Sequence, residues 1–360
     1  MDFGLSEDQK LLEQTARGFL ADKVSIDRIR ELRAAEVWND RGIWKELGAL
    51  GLTGILVPEE HGGSGLPLLE AALVAQSMGF AAAPTPYLTS AIMAPVALRA
   101  VGGDAVGPWL SGLAAGELQF GIAVTELWSV REEAGVTLAG GKLSGKSMMA
   151  WDAMGADFIL VAVSEETLAV VRADAPGVGR ERLLTIDATR CSAELVFADV
   201  VPEAVFEGAG PAIARMMQAG RIALAADSLG ACEAMVGQAV AYAMERKQFN
   251  RVIGSFQAVK HMCAEMIAEL EPTRSLLWYA AHSFDTLPSE APLMSLHVLA
   301  HTSEIGHEIA SVSTQVHGGT GWTDEQNLHF WFKRLGVARH QLGGPEFLRE
   351  QAARAQGLAA

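Results

Sequence analysis

Glu245-Arg246-Lys247-Gln248-Phe249-Asn250-Arg251-Val252-Ile253-Gly254-Ser255-Phe256-Gln257 separates two long tracts of helical periodicity. Before it, apolar residues recur at helical spacing over about 212–246; after it they do so over 254–286, 290–315 and 324–354, with breaks at Gly254, Leu287-Pro288 and Gly318-Gly319. Long amphipathic helices joined by short breaks predict an antiparallel four-helix bundle.

Upstream the texture changes. Short β-rich runs occupy Phe120 to Val124, Val136 to Leu143, Phe158 to Val163, Thr167 to Val171, Leu183 to Ile186 and Ala193 to Phe197, most of them bounded by Gly, Asp or Pro. They predict a small sheet domain or barrel. From Leu5 to about Gly116 the pattern is helical again: Ser6 with Gln9 forms a capping box, and Trp44, Leu47, Leu50 and Leu52 share a predicted apolar helical face. One loop interrupts it, Val57-Pro58-Glu59-Glu60-His61-Gly62-Gly63-Ser64-Gly65, whose proline and glycines a helix does not absorb cheaply. The fold class is therefore α+β in the order α, β, α, with predicted domains at 1–118, 119–210 and 211–360.

Composition narrows the function. A chain of 360 residues, 50% apolar and 20% charged, is that of a compact globule. Its net charge of −15 repels a phosphate backbone, so no nucleic-acid partner is expected. The N-terminus has neither the basic start nor the apolar core of a secretion signal, which predicts a cytoplasmic chain. The apolar stretch from Ala71 to Ala83 falls short of the ~20 residues of a membrane span, so none is expected. Cys191, Cys232 and Cys263 have neither disulfide nor metal-ligand spacing, and are read as buried free thiols; no metal site is predicted.

Four strings in order carry a resemblance: Met1 to Gln9; Trp44 to Gly65; Glu245 to Phe249 with Gly254 to His261; and Gln315-Val316-His317-Gly318-Gly319-Thr320-Gly321-Trp322-Thr323. Together they resemble the acyl-CoA dehydrogenase family over nearly the whole chain. The resemblance implies an N-terminal helical domain, a middle β-barrel domain and a C-terminal four-helix bundle. It further implies FAD as cofactor, an acyl-CoA thioester as substrate and an electron-transfer flavoprotein as acceptor. It places Arg246, Phe249, Gln257, Gln315, Gly318 and Gly319 around the adenosine-diphosphate half of a flavin bound mainly by a neighbouring subunit.

The residue types suit that task. A pyrophosphate wants a guanidinium fork and unobstructed backbone N–H groups, which Arg246 and Gly318-Gly319 offer. Phe249 offers an apolar face, and Gln257 and Gln315 are neutral hydrogen-bond groups for ribose, phosphate or adenine edges. Each also has a purely structural reading: Arg246 favoured at a helix C-terminus, Gly318-Gly319 a helix stop, His317 a packing residue, and Trp151, Trp322 and Trp331 core or interface aromatics.

The chemistry takes a proton from the carbon beside the thioester carbonyl and so needs a base. Where similar proteins carry the glutamate of Tyr-Glu-Gly-Thr, this chain reads Gln341-Leu342-Gly343-Gly344. The alternative family position, directly before the arginine matching Arg221, holds Gly220. The flavin-ring motifs diverge too, reading Thr125-Glu126-Leu127-Trp128-Ser129-Val130 and Lys146-Ser147-Met148-Met149-Ala150. The half-site offered to a neighbour thus looks kept and the chain's own half-site lost. This predicts a subunit without a catalytic residue that completes the FAD site of a sister subunit in a heterotetramer. Three other readings stand beside it: a homo-oligomeric dehydrogenase with Glu346 as a displaced base if residues 342–346 are helical, a flavin-free structural or regulatory subunit, and a flavin monooxygenase on the same fold.

Overall fold

The computed structural model describes residues 4–37, 39–129 and 131–359; Met1, Asp2, Phe3 and Val130, which figure in the sequence motifs, lie outside the described residues. The chain opens with helices α1 (Glu7–Lys23), α2 (Ile26–Ala34), α3 (Arg41–Ala49), α4 (Leu68–Phe80), α5 (Ala94–Val101) and α6 (Gly107–Ala114). The capping box at α1 forms in both directions, with Ser6 Oγ accepting from the Gln9 N–H and Gln9 Oε1 accepting from the Ser6 N–H. The predicted apolar face of α3 is shorter than its spacing suggested: the helix ends at Ala49, leaving Leu50 exposed, while Leu52 is buried from the turn beyond. Between α3 and α4 the Gly-rich segment is a loop, as predicted, with one 3-10 turn at Glu59–His61.

Strands β1 (Phe120–Ala123), β2 (Gly135–Ala139), β3 (Lys142–Trp151), β4 (Phe158–Ala162), β5 (Thr167–Arg172), β6 (Val178–Leu183), β7 (Ser192–Val200) and β8 (Ala204–Glu207) form one eight-stranded sheet. The hydrogen-bonded path runs β6-β7-β3-β1-β4-β5-β8, with β2 paired to the first half of β3; β1 and β4 pair in parallel and the other pairs are antiparallel. One face buries a core that includes Leu143, Ile159, Val161, Val171, Leu195 and Phe197. Two strand expectations need correction. The run Val136 to Leu143 is a hairpin folded at Gly140-Gly141, both in the left-handed region that a two-residue turn requires. The run Leu183 to Ile186 is not a strand: β6 ends at Leu183, and Leu184 and Ile186 are exposed. Apolarity marked these residues as strand, but strand pairing stops before them.

Helix α7 (Gly210–Glu245) is followed by the two-stranded ribbon β9 (Lys247–Gln248) and β10 (Arg251–Val252), then by α8 (Gln257–Thr286), α9 (Ala291–His317), α10 (Leu328–Ala338) and α11 (Pro345–Ala355). The last predicted helix, 324–354, is two helices, because Leu342 and Gly343 take left-handed backbone and Pro345 starts a new first turn.

Contacts divide the chain into two compact units, Ile29–Ala71 with Pro84–Gly220 and Met1–Arg28 with Ala72–Ala83 and Arg221–Ala360. Within the second unit α10 meets α7 through a fully buried ion pair. Arg334 Nε and Nη2 donate to the two carboxylate oxygens of Asp227 at 2.9 and 2.6 Å, and the two side chains are 1% and 0% exposed. Arg334 also donates to the Ala83 carbonyl, and Trp331 Nε1 to the carbonyls of Gly79 and Phe80, so α10 is tied to backbone at and just beyond the end of α4. A Cβ at Gly79 would collide with the Asp227 carbonyl, and one at Gly230 with the Gln76 carbonyl, so α4 and α7 meet backbone to backbone. Among the described residues no helix is long and apolar enough to cross a membrane.

A partly buried ion cluster joins α1 and α7. Burial works against ionisation of Glu233, but hydrogen bonds and charge from Arg17 (2.8 Å), with Arg274 and the Gln76 amide, outweigh it and hold its carboxyl below the usual range. Its folded pKa is depressed, so this contribution is complete above the unfolded value of about 4.3 and disappears as pH falls through the lower folded value. Glu233→Gln is expected to flatten the acid limb of stability against pH below about pH 4, checked by urea denaturation across that range. Asp227→Ala leaves Arg334 buried and unpaired and is expected to destabilise by about 3–5 kcal/mol in the same measurement.

Candidate functional site

The sequence-predicted cofactor residues lie at or just beyond three helix ends on one side of the helical bundle. Tyr242, in the last turn of α7, stacks on His317, the last residue of α9, with ring centroids 4.6 Å apart, and its hydroxyl is 3.4 Å from Thr320 Oγ1. The turn before α8 lies against α7 as well, since a Cβ at Gly254 would be 2.9 Å from the Ala243 carbonyl oxygen. Helices α8 and α9 run antiparallel, with Ser313 donating to Met266 Sδ and Thr273 bonded to His301. That register brings the start of α8 to the end of α9. Arg246, Phe249, Gln257, Gln315, Gly318 and Gly319 therefore gather at one end, and all six are exposed.

Local chemistry explains how each is presented. Arg246 is the first residue past α7; its backbone N–H is bonded to the Tyr242 carbonyl and its own carbonyl to the Ile253 N–H, so the ribbon is tied down while the side chain is left in solvent. Phe249 and Asn250 form the two-residue turn of the ribbon, with φ of 52° and 62°. Both central residues of such a turn need left-handed backbone, which suits Asn-Gly and strains a phenylalanine by roughly 1–2 kcal/mol. Phe249 is nevertheless 87% exposed, touching the Phe256 ring edge-on at 6.1 Å, while the Arg251 guanidinium covers Phe256 at 4.0 Å. On a chain of net charge −15, the exposed Arg246, Lys247, Arg251 and Lys260 make this end locally basic.

The glycines separate into three kinds. Gly318 caps α9 at φ 64°, so its backbone requires glycine. Gly321 requires it by packing, since a Cβ there would be 2.8 Å from the Thr314 carbonyl. Gly319 has neither constraint: its φ is not left-handed, and a Cβ would have nothing within 4 Å. A backbone kept bare where the chain itself does not need it suits close approach by a ligand, and the residues present fit a diphosphate and its nucleoside at this end. His317 is a packing residue, buried under Tyr242 with Nδ1 2.8 Å from the Ser313 carbonyl oxygen. Trp151 and Trp331 are buried, whereas Trp322 is 73% exposed.

At the position expected for the base, Leu342 is buried with φ 54°, and its carbonyl accepts from Arg221 Nε at 3.3 Å. Gly220 is the residue before Arg221 on α7 and brings no side chain. The helix that would carry Glu346 onto the face of Leu342 is absent: residues 339–344 are turns, and Glu346 sits in the first turn of α11, its side chain 80% exposed and 3.8 Å from Arg339. The premise for Glu346 as a displaced base is not met.

In the sheet, Glu126 occupies the donors of the segment aligned with the flavin-ring motif. Its carboxylate accepts from Ser147 Oγ and from the Met148 N–H, both at 2.7 Å. Beyond them the pairing of β3 with β7 slips between Ser147 and Ala150, Met149 has φ 56°, and Ala150 is buried without a hydroxyl. These residues do not fit a flavin ring, since the donors are already satisfied. Ser129 is described, and Val130 lies outside the described residues.

All three cysteines are free, and burial pushes the Cys191 and Cys232 thiols up to about 12; Cys263 is only half-buried, short of the burial expected of it. Among the described residues no cluster of His, Cys, Asp or Glu could hold a metal.

Residues 208–357 match the acyl-CoA dehydrogenase C-terminal domain, and 6–117 the N-terminal domain of the same family. The chain belongs to the acyl-CoA dehydrogenase family. It is 28% identical to acyl-CoA dehydrogenase IpdE2 of Mycobacterium tuberculosis, over 95% of this chain and 96% of that protein. It is also 28% identical to FadE27 of the same organism, over 96% and 95%. Among solved structures, the ChsE4-ChsE5 complex from Mycobacterium tuberculosis superposes with a TM-score of 0.91 at 26% identity, covering all of both chains. The family's architecture is the one seen here: an N-terminal helical domain, a middle sheet domain and a C-terminal helical domain.

Three residues that shape these sites escape a reading of the sequence. Glu126 stands out there only as part of a divergent motif, and Asp227 and Arg334 carry no motif at all, although a lone acid in the apolar run Leu224 to Leu229 is a signal of a buried partner. The strained turn gives a further expectation. Phe249→Gly relieves left-handed strain and removes no buried contact, so urea denaturation should show stability unchanged or raised by up to about 1 kcal/mol.

Proposed function

We propose that this chain is the base-lacking subunit of a heteromeric FAD-dependent acyl-CoA dehydrogenase, completing the FAD site of a sister subunit. The observation that carries the reading is the contrast between two places: six cofactor-type residues exposed at one bundle end, with Phe249 held out at a cost in backbone strain, and Leu342 where a base is required. On this reading Arg246 and the backbone N–H groups of Gly318-Gly319 hold the diphosphate of the partner's cofactor, Gln257 and Gln315 hold its ribose and adenine edges, and Phe249 covers it. The bound FAD would supply the hydride acceptor for α,β-dehydrogenation of an acyl-CoA thioester. The proton beside the carbonyl goes to a carboxylate of the sister subunit, because neither Leu342 nor Gly220 accepts one. The domain limits 1–118, 119–210 and 211–360 and a cytoplasmic location belong to the same proposal, as does an electron-transfer flavoprotein as acceptor. That IpdE2 is named an acyl-CoA dehydrogenase, and that the ChsE4-ChsE5 structure is a complex, supports it. A steroid ACAD, Tcur3481-Tcur3483, at 27% identity and a TM-score of 0.87, supports a bulky acyl group as substrate.

Purified alone and supplied with excess FAD, the chain is expected to be colourless in visible absorbance. Co-expressed with a family member that keeps the glutamate, it should yield about one flavin per pair of chains. A ratio near one per chain for the isolated protein would sink the half-site reading. In the co-purified complex, Arg246→Ala should lower flavin content without changing subunit stoichiometry; unchanged flavin content would instead favour a structural subunit.

A further inference from the structure

The proposed function leaves unused a cavity of about 530 Å³ in the first compact unit. It lies between the 3-10 turn Glu59–His61 of the glycine-rich loop and the turn that joins α5 to α6. Its backbone is shaped for an occupant. Gly107 has ordinary helical dihedrals, but a Cβ there would lie 3.2 Å from His61 Cε1, so the glycine makes room for the imidazole in the cavity wall. Gly102 (φ 66°, ψ −167°) and Gly103 (φ 88°, ψ 162°) both take a conformation that essentially only glycine adopts. A Cβ on either would meet nothing within 4 Å, so bare backbone faces the open cavity, where a ligand can approach closely.

The wall carries both signs of charge without neutralising them. Arg99, in the last turn of α5, donates from Nη1 to the Leu56 carbonyl at 2.6 Å, which fixes the guanidinium and leaves its Nε–Nη2 edge for other acceptors. Glu60 and Asp104 line the same cavity, and among the described residues neither pairs with Arg99 or with His61. An anion alone would bring its charge up to two carboxylates, and a cation alone would meet the guanidinium. Among the described residues no metal-ligating cluster forms here either. The rest of the wall is apolar, from Pro58, Val106 and Leu110.

We propose that this cavity binds a small zwitterion with an apolar side chain, of the α-amino acid type. Its carboxylate accepts the two parallel N–H donors on the Nε–Nη2 edge of Arg99, and His61 offers a further N–H. Its ammonium meets Glu60 and Asp104, and its side chain covers Pro58, Val106 and Leu110. A ligand of this kind brings each charge on the wall its opposite and removes the apolar part from water. The site involves neither the flavin nor the thioester, so its failure and that of the proposed function are separate.

The test is isothermal titration calorimetry on the full purified chain. L-phenylalanine and L-leucine are the zwitterions; phenethylamine and 3-phenylpropionate keep the phenyl ring and lose the carboxylate or the ammonium. At least one zwitterion is expected to bind at one per chain with a Kd below about 1 mM, and phenylalanine to bind at least about tenfold tighter than either of its analogues. Absence of saturable binding by both zwitterions up to about 10 mM overturns the site. An analogue that binds the wild type as tightly as phenylalanine overturns it too, since one of the two charges would then have no partner. In the double variant Glu60→Gln with Asp104→Asn, both changes fall on exposed side chains and leave the fold's core untouched. Phenylalanine should there lose its margin over 3-phenylpropionate; a margin that persists puts the ligand elsewhere and overturns the assignment.

Discussion

The bidentate pair of Arg334 and Asp227 is the contact from which the helical unit takes its arrangement. Two opposite charges with almost no exposure tolerate few geometries, because any displacement leaves a desolvated ion behind. The pair fixes α10 against α7, and the same arginine, with Trp331, reaches carbonyls at and just beyond the end of α4. Backbone contact at Gly79 and Gly230 leaves α4 and α7 no room to slide past each other. A hydrophobic pair of similar volume could match the stability; what the ions add is a single register.

That rigidity is what gives the exposed end of the bundle its meaning. Tyr242, His317, Thr320 and Gly254 bring the end of α7, the start of α8 and the end of α9 together, and the six cofactor-type residues around them are exposed. A fold that hides most of its large apolar side chains leaves Phe249 in the open between the basic residues Arg246, Lys247 and Arg251 of the same ribbon. Exposed aromatic and guanidinium groups on a firm base are suited to meeting a partner surface, where they need little ordering on binding. The opposite condition holds around Leu342, where an apolar residue in left-handed backbone closes the place a base would occupy and Arg221 is left with a carbonyl for company.

Much of this was legible in the chain itself. The α, β, α order, the capping box at Ser6, the loop at 57–65 and the long helices α7, α8 and α9 come from periodicity and from the cost of Gly and Pro inside regular elements. The errors have local causes. Leu184 and Ile186 read as strand because apolarity does not tell a paired residue from an exposed one. The predicted helix 324–354 broke because left-handed backbone at Leu342, a residue with no such preference, is imposed from outside its own segment.

The sequence by itself determined the family, the α, β, α order and the absence of a carboxylate at 342 and 220, because these depend on residue types and on spacing along the chain. Tertiary structure alone decided that six scattered residues share one exposed end, that Glu346 faces solvent away from Leu342's backbone turn, that Glu126 has taken the donors of β3, and that Arg221 meets the Leu342 carbonyl. Each of those depends on which groups lose water and which meet across long separations in sequence, and desolvation and long-range contact exist only once the chain has folded.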